Sequence, residues 1–315
     1  MTRRLALAFF GTPDFAVPTL ERLLRGPHPV VAVVTQPDRA RGRGRRLSPS
    51  PVAEVAARAG VACLKPESAG DPAFLAELRA RSLDLGVVVA YGQFLPKRVR
   101  ETPGLGYCIN AHASLLPKLR GAAPVAHAIL AGETETGISV MRVEREMDAG
   151  PVAALAKTAI GPEENAGELG ARLAELAAGA IADALDSIAR GDVHWTPQDP
   201  ARASFAPKLE PADLELDWRL PAGSLARRVR AFAPRPGAVT HRDGERLRIL
   251  AARALDAEVD RAPGTVRAAD RREIHVATGR GWLVPLVLQR AGARALDVES
   301  FLRGHPIPDG ARLGP

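Results

Sequence analysis

Apolar runs at residues 5–10, 30–35, 61–64 and 85–90 are each bounded by turn residues, and the segments between them carry helix signals. Runs this short and this apolar read as buried strands, and strands alternating with helices form a parallel sheet wrapped by helices. The first run turns at Gly11-Thr12-Pro13-Asp14 into a helical pattern with Phe15, Val17, Leu20, Leu23 and Leu24 on one face. Ser50 reads as an N-cap, with Pro51 at the first helical position and Gly60 just past the end. Asp71-Pro72 opens another helix running to about Arg81. Only Gly11 stands where a dinucleotide-binding loop needs three glycines, so a nucleotide cofactor has little support.

The alternation continues with a helix at 122–131, strands at 138–143 and 152–160, and an Ala-rich amphipathic helix at 165–188 closed by Arg190-Gly191. Residues 194–211 hold four prolines and read as an extended linker. Beyond it, Ser224 reads as the cap of a short helix at 225–232, and β-rich runs follow at 238–241, 247–251, 264–267, 273–277 and 282–289. Short strands at this spacing suggest a small barrel. The expected fold is therefore α/β: a doubly wound, Rossmann-like parallel-sheet domain at 1–191, a linker at 192–207, and a C-terminal β-barrel of oligonucleotide-binding type at 208–315. A length of 315 residues also favours two domains over one.

The formal charge of +7 points modestly to a polyanionic partner. From residue 208 onward, 19 Lys and Arg face 14 Asp and Glu. The segment 36–47 is more pointed, with Arg39, Arg41, Arg43, Arg45 and Arg46 against Asp38 alone. A charge run of this kind is ordinarily a solvated surface loop. So long a structureless insertion in a compact domain is seldom idle, however, and it follows the C-terminal end of a strand. Arginines there can grip phosphates, which makes nucleic acid the expected partner. Cys63 and Cys108 lie in strand-like apolar runs and read as reduced core residues. The N-terminal apolar run is too short for a signal peptide and no segment is long enough to span a membrane, so a soluble cytoplasmic protein with no membrane contact is expected. The sequence has no zinc-ligand spacing.

The candidate chemistry lies at Cys108-Ile109-Asn110-Ala111-His112, where a buried strand opens into a loop, and at Met147-Asp148-Ala149-Gly150. Open parallel sheets bind ligands at the C-terminal ends of their strands. Residues two apart on a strand point the same way, so Asn110 and His112 share a face. Asp148 reaches the same cleft if the strand at 138–143 is a neighbour. An amide, an imidazole and a carboxylate suit acyl chemistry: a donor for a developing oxyanion, a proton carrier, and a group that holds the carrier. Asn and His at strand ends also serve simply to satisfy backbone groups in turns.

The longer pattern Asn110 to Pro117, Arg120-Gly121-Ala122-Ala123-Pro124 and Met147 to Pro151 resembles the formyltransferases that use 10-formyltetrahydrofolate. The likeness is fullest with the branch that formylates methionyl-tRNA. It extends to Phe10 through Ala16, the arginine loop, Ala90 through Pro96, and Ala206-Pro207-Lys208-Leu209. Two departures are Lys118-Leu119, where Arg-Trp is usual, and Phe205, where Tyr is common.

The resemblance implies catalysis by Asn110, His112 and Asp148, with no metal. It also implies a formyl-folate site lined by Ser114, Leu115, Leu116 and Pro117 with Phe94 and Leu95 nearby. Contacts to tRNA are implied for Arg39, Arg41, Arg43, Arg45, Arg46 and Lys208. The implied activity is transfer of the formyl group of 10-formyltetrahydrofolate to the α-amino group of methionyl initiator tRNA for translation initiation, by a monomer. Formyl transfer to a small amine such as an amino-sugar nucleotide or glycinamide ribonucleotide, hydrolysis of the formyl donor, and a basic RNA-binding protein on a degenerate scaffold remain alternatives.

Overall fold

A computed structural model describes residues 3–41, 46–268 and 272–314; the side chains of 40, 41 and 46 lie outside the description. The chain runs β1 (Leu7–Gly11), α1 (Val17–Leu24), β2 (Val30–Val34), β3 (Arg39–Arg41), β4 (Arg46–Ser48), α2 (Pro51–Arg58), β5 (Cys63–Leu64), α3 (Pro72–Arg79), β6 (Leu85–Val89), α4 (Lys97–Arg100) and β7 (Cys108–His112). There follow α5 (Pro124–Ala131), β8 (Glu135–Arg142), β9 (Val152–Ala159) and α6 (Ala166–Arg190). The remainder comprises α7 (Ala222–Phe232), β10 (Ala238–Arg242), β11 (Glu245–Leu255), β12 (Val266–Ala268), β13 (Ile274–Ala277), β14 (Trp282–Arg290), β15 (Leu296–Asp297) and α8 (Val298–Gly304).

These elements form two compact units. The first comprises Met1–Pro124, Glu135–Ala159 and Gly170–Ala206; the second comprises Val125–Thr134, Ile160–Leu169 and Pro207–Pro315.

In the first unit the strands order as β5-β2-β1-β6-β7-β8-β9. The chain winds outward from β1 through β2 to β5, then returns beside β1 to build β6 and β7. These first five strands are mutually parallel, as the alternating pattern requires. β8 and β9 run antiparallel to their predecessors. That difference from a wholly parallel sheet has a plain cause: a buried apolar run looks the same in either direction, and β8 ends beside the start of β9. β1 and β6 are buried throughout, and Phe10, Tyr91, Leu78, Leu95 and Cys108 belong to one apolar cluster. Burying side chains of this size contributes roughly 1.5–3 kcal/mol each.

Two helix starts follow their local sequence. Ser50 Oγ accepts the Ala53 amide at 3.0 Å and Asp71 Oδ1 accepts the Ala73 amide at 2.8 Å, each with proline next in line. The segment expected to be structureless between β2 and α2 instead forms an antiparallel ladder, pairing Arg39 with Ser48 and Ala40 with Leu47.

The second unit holds an antiparallel sheet ordered β10-β11-β14-β13-β12, with β15 on β14. β11 is 11 residues long and its register shifts near Ala251, so it bends within its length. Helix α7 begins at Ala222, directly after Pro221 and ahead of the expected Ser224 cap. Ala222 is buried, and the packing of that first turn sets the boundary.

Candidate active site

β7 lies inside the sheet, with Val88 of β6 beside Asn110 on one side and Met141 of β8 beside Asn110 on the other. Strand alternation therefore puts Asn110 and His112 on one face and Ala111 on the other. The neighbouring strands β1, β2 and β6 end in loops that are tied together. Thr12 Oγ1 and Gln36 Nε2 both donate to the Tyr91 carbonyl, at 2.8 and 3.1 Å.

His112 is 6% exposed and engaged at both ring nitrogens. Nε2 lies 2.9 Å from the Leu119 carbonyl oxygen, which only accepts, so Nε2 carries a hydrogen. Nδ1 then faces Asp148 Oδ2 at 3.5 Å. The same carboxylate oxygen accepts the Gly121 amide at 2.9 Å. Asp148 sits at φ +53°, in the left-handed region, in the loop joining β8 to β9. That loop closes tightly: a Cβ on Gly150 would stand 2.0 Å from the Arg142 carbonyl oxygen. The side-chain amide of Asn110 has no hydrogen-bond partner among the described residues. The structure thus brings Asn110 and His112 to one strand face and Asp148 to His112.

The loop after β7 is shaped by Ser139 of β8, which is fully buried. Its hydroxyl donates to the Ser114 carbonyl at 2.6 Å and accepts the Leu116 amide at 2.9 Å. Ser114 Oγ donates to the Lys118 carbonyl at 2.6 Å. Leu116 packs with Met141 and Val152, while Leu115 and Pro117 are half-buried. Phe94 is 63% exposed beside a buried Leu95, and the Arg100 guanidinium lies 5.9 Å from its ring centre.

The segment expected as a linker is bound into the first unit as a strap. Thr196 bridges to Val152, and the Arg142 guanidinium lies over the rings of Trp195 and Tyr107 at 4.4 and 4.3 Å. The Arg120 amide donates to Ser204 O at 2.9 Å, and the Ala206 amide donates to Arg120 O at 2.7 Å. Gln198 of the strap bonds both the Asp148 loop and the Arg120 side chain, which is 5% exposed. The sequence motif contains Arg120 but gives it no role, and Gln198, Ser139 and Ser204 carry no local signal.

Of the arginine loop, Arg39 donates to Gln36 Oε1 at 2.6 Å, and Asp38 pairs with Lys65 at 2.6 Å. Arg41 and Arg46 pair in the ladder; Arg43 and Arg45 lie outside the described residues. Lys208, in the second unit, is exposed. Among the described residues no group of three His, Cys, Asp or Glu side chains is placed to hold a metal ion, and no helix is long and apolar enough to cross a membrane.

Residues 3–185 match the family described as formyl transferase, and residues 208–306 match its C-terminal domain. The chain belongs to the formyl transferase family. This formyltransferase is 44% identical over 310 residues to methionyl-tRNA formyltransferase of Methylococcus capsulatus, spanning 98% of this chain and all of the relative. It is 47% identical over 299 residues to the same enzyme of Xanthomonas campestris, spanning 95% and 97% of the two chains. Among solved structures, the sugar 3N-formyl transferase WlaRD shares the formyltransferase's fold with a TM-score of 0.66 at 14% identity, over 93% of this chain and all of that one. HypX from Aquifex aeolicus in complex with tetrahydrofolic acid matches with a TM-score of 0.64 at 18% identity, over 95% of this chain but only 47% of that one.

Proposed function

We propose that this formyltransferase moves the formyl group of 10-formyltetrahydrofolate to the α-amino group of methionyl initiator tRNA, supplying translation initiation in the cytoplasm as a monomer. The observation that carries the reading is the Asn110 amide, without a hydrogen-bond partner among the described residues, on the strand face of His112, in a chain similar over nearly its whole length to methionyl-tRNA formyltransferases. The bound folate supplies an activated formyl group on nitrogen.

Ser114, Leu115, Leu116 and Pro117, with Phe94 and Leu95, are assigned to hold the donor. The fit rests on the exposed Phe94 ring and the half-buried Leu115 and Pro117, apolar surfaces that a flat heterocycle can cover.

Asn110 donates to the formyl oxygen as negative charge grows on it during attack by the amine. It has no hydrogen-bond partner among the described residues, so no bond to them is broken in doing so. The attacking amine must lose a proton and the departing folate nitrogen must gain one. His112 and Asp148 are assigned to that transfer, with proton movement between them running along Nδ1 and Oδ2. Leu119 O and Gly121 N hold the pair in register from opposite sides.

Residues 1–191 are assigned the chemistry, and 208–315 contacts to the tRNA. Arg39, Arg41 and Arg46 belong to the β3–β4 ladder, which follows the C-terminal end of β2; they are assigned to tRNA phosphates together with Lys208 and with Arg43 and Arg45, which lie outside the described residues. The test is transfer of labelled formyl from 10-formyltetrahydrofolate to charged initiator tRNA, beside elongator methionyl-tRNA, free methionine and an amino-sugar nucleotide. Label on initiator tRNA supports the proposal; label on the sugar alone refutes it.

A further inference from the structure

We propose that Gln198 is a positioning residue for the transfer reaction, fixing the peptide that carries Asp148 and thereby the carboxylate that faces His112. This rests on the reading of function above. Gln198 belongs to the strap, 50 residues from Asp148 in sequence. Its amide nitrogen donates to the Asp148 carbonyl and to the Gly150 carbonyl, each at 2.8 Å. Its Oε1 accepts from Arg120 Nε at 3.1 Å and Arg120 Nη2 at 2.8 Å. A side-chain amide has two donors and two acceptor sites, and all four are used here.

The arrangement closes a ring. Arg120 is bound to Gln198 through its side chain and to Ser204 and Ala206 through its backbone. The next residue, Gly121, gives its amide to the Asp148 carboxylate. Gln198 therefore holds the backbone of Asp148 while Gly121 holds its side chain, and both anchors trace to one strap.

Asp148 needs such restraint. Its left-handed backbone costs about 1 kcal/mol or more relative to an ordinary conformation. Residues 144–147 just before it are all exposed, and outside the strap the loop is held by Arg100 Nη1 donating to the Glu144 carbonyl at 2.7 Å and by backbone bonds at its ends. Arg120 also meets Glu146 at 3.4 Å, but Glu146 is 76% exposed and an ion pair of that kind stabilises little. A carboxylate displaced by about 1 Å from its partner can lower turnover on the order of a hundredfold.

The test uses the full-length protein with Gln198→Glu and Gln198→Met. The first keeps an oxygen for Arg120 but sets a carboxylate against two carbonyls; the second keeps the length and removes every polar contact. The expected result is a fall in kcat of roughly tenfold to a hundredfold. KM for donor and tRNA should stay within about twofold, and the pH profile of kcat should move. In an Asp148→Asn background the Gln198 substitution should cost less than about twofold more, because both act on one group.

Wild-type kcat and an unmoved pH profile in both variants overturn the proposal. A full additive fall in the Asp148→Asn background, or failure of both variants to fold, also overturns it in favour of a purely structural role. Wild-type protein that moves no formyl group to methionyl-tRNA refutes the functional reading and this proposal with it. Active wild type with unaffected variants refutes this proposal alone.

Discussion

His112 Nδ1 faces Asp148 Oδ2 across 3.5 Å, while the opposite ring nitrogen is committed to the Leu119 carbonyl. Nε2 is thus taken up by a carbonyl, and Nδ1 is the ring nitrogen that meets the carboxylate. Asp148→Asn keeps the size of the side chain and an oxygen for Gly121 while removing the charge. Its kcat is expected to fall roughly a hundredfold, and that of Asn110→Ala to fall by a similar factor, with thermal stability close to wild type. Single-turnover rates at saturating substrate, beside a melting curve, check this; near-normal rates in both variants remove these groups from the chemistry.

Gly121 is expected to tolerate no side chain. It sits at φ +122°, and a Cβ there would stand 2.6 Å from the Ala206 carbonyl oxygen, which is backbone and cannot swing away. Gly121→Ala should lower unfolding free energy by about 2 kcal/mol, and it should lower kcat too, because the amide that meets Asp148 moves. Urea denaturation and steady-state kinetics on the same preparation measure both effects.

Binding of tRNA should weaken steeply as salt rises. If Arg39, Arg41 and Arg43 meet phosphates, their joint replacement by Ala reduces the slope of log affinity against log salt by about 0.7–0.9 for each phosphate no longer neutralised. KM for the formyl donor should not change. An unaltered slope would show that these arginines do not meet the nucleic acid.

The two cysteines should separate under alkylation. Cys108 is fully buried, and burial pushes its thiol up to about 12, so it stays protonated and out of reach. Cys63 is half-buried, and its thiol is also raised by burial, although Lys65 draws it down somewhat. At about pH 8, iodoacetamide should slowly modify Cys63 alone in native protein and both residues after denaturation. Peptide mass mapping reads the outcome; rapid native labelling of Cys108 would contradict its place in the core.

The parts of the fold legible in the sequence are those set by local chemistry. Ser50-Pro51 and Asp71-Pro72 mark helix starts because a side-chain acceptor and a fixed φ act within one turn. The shared face of Asn110 and His112 is legible because strand alternation needs no tertiary knowledge. Strand direction is not: Ile138 and Val140 are apolar whichever way β8 runs. Nor is the role of Gln198, a polar residue amid prolines whose partners are backbone carbonyls in another loop. Backbone acceptors leave no trace in residue identity, so the ring around Asp148 becomes visible only in three dimensions.

The strap changes where the stretch assigned the chemistry has to end. A fragment cut at Gly191, where α6 has ended, would contain Asn110, His112 and Asp148 yet lack Gln198, Ser204 and Ala206. Its Arg120 guanidinium would be without the amide oxygen that receives it, and the carbonyls of Asp148 and Gly150 would be without the amide that donates to them. A fragment carried on to Ala206 keeps them all. By these hydrogen bonds, the stretch that keeps the surroundings of Asp148 intact runs on to Ala206, well beyond the last turn of the long helix, and it carries with it residues 125–134 and 160–169, which group with the second unit.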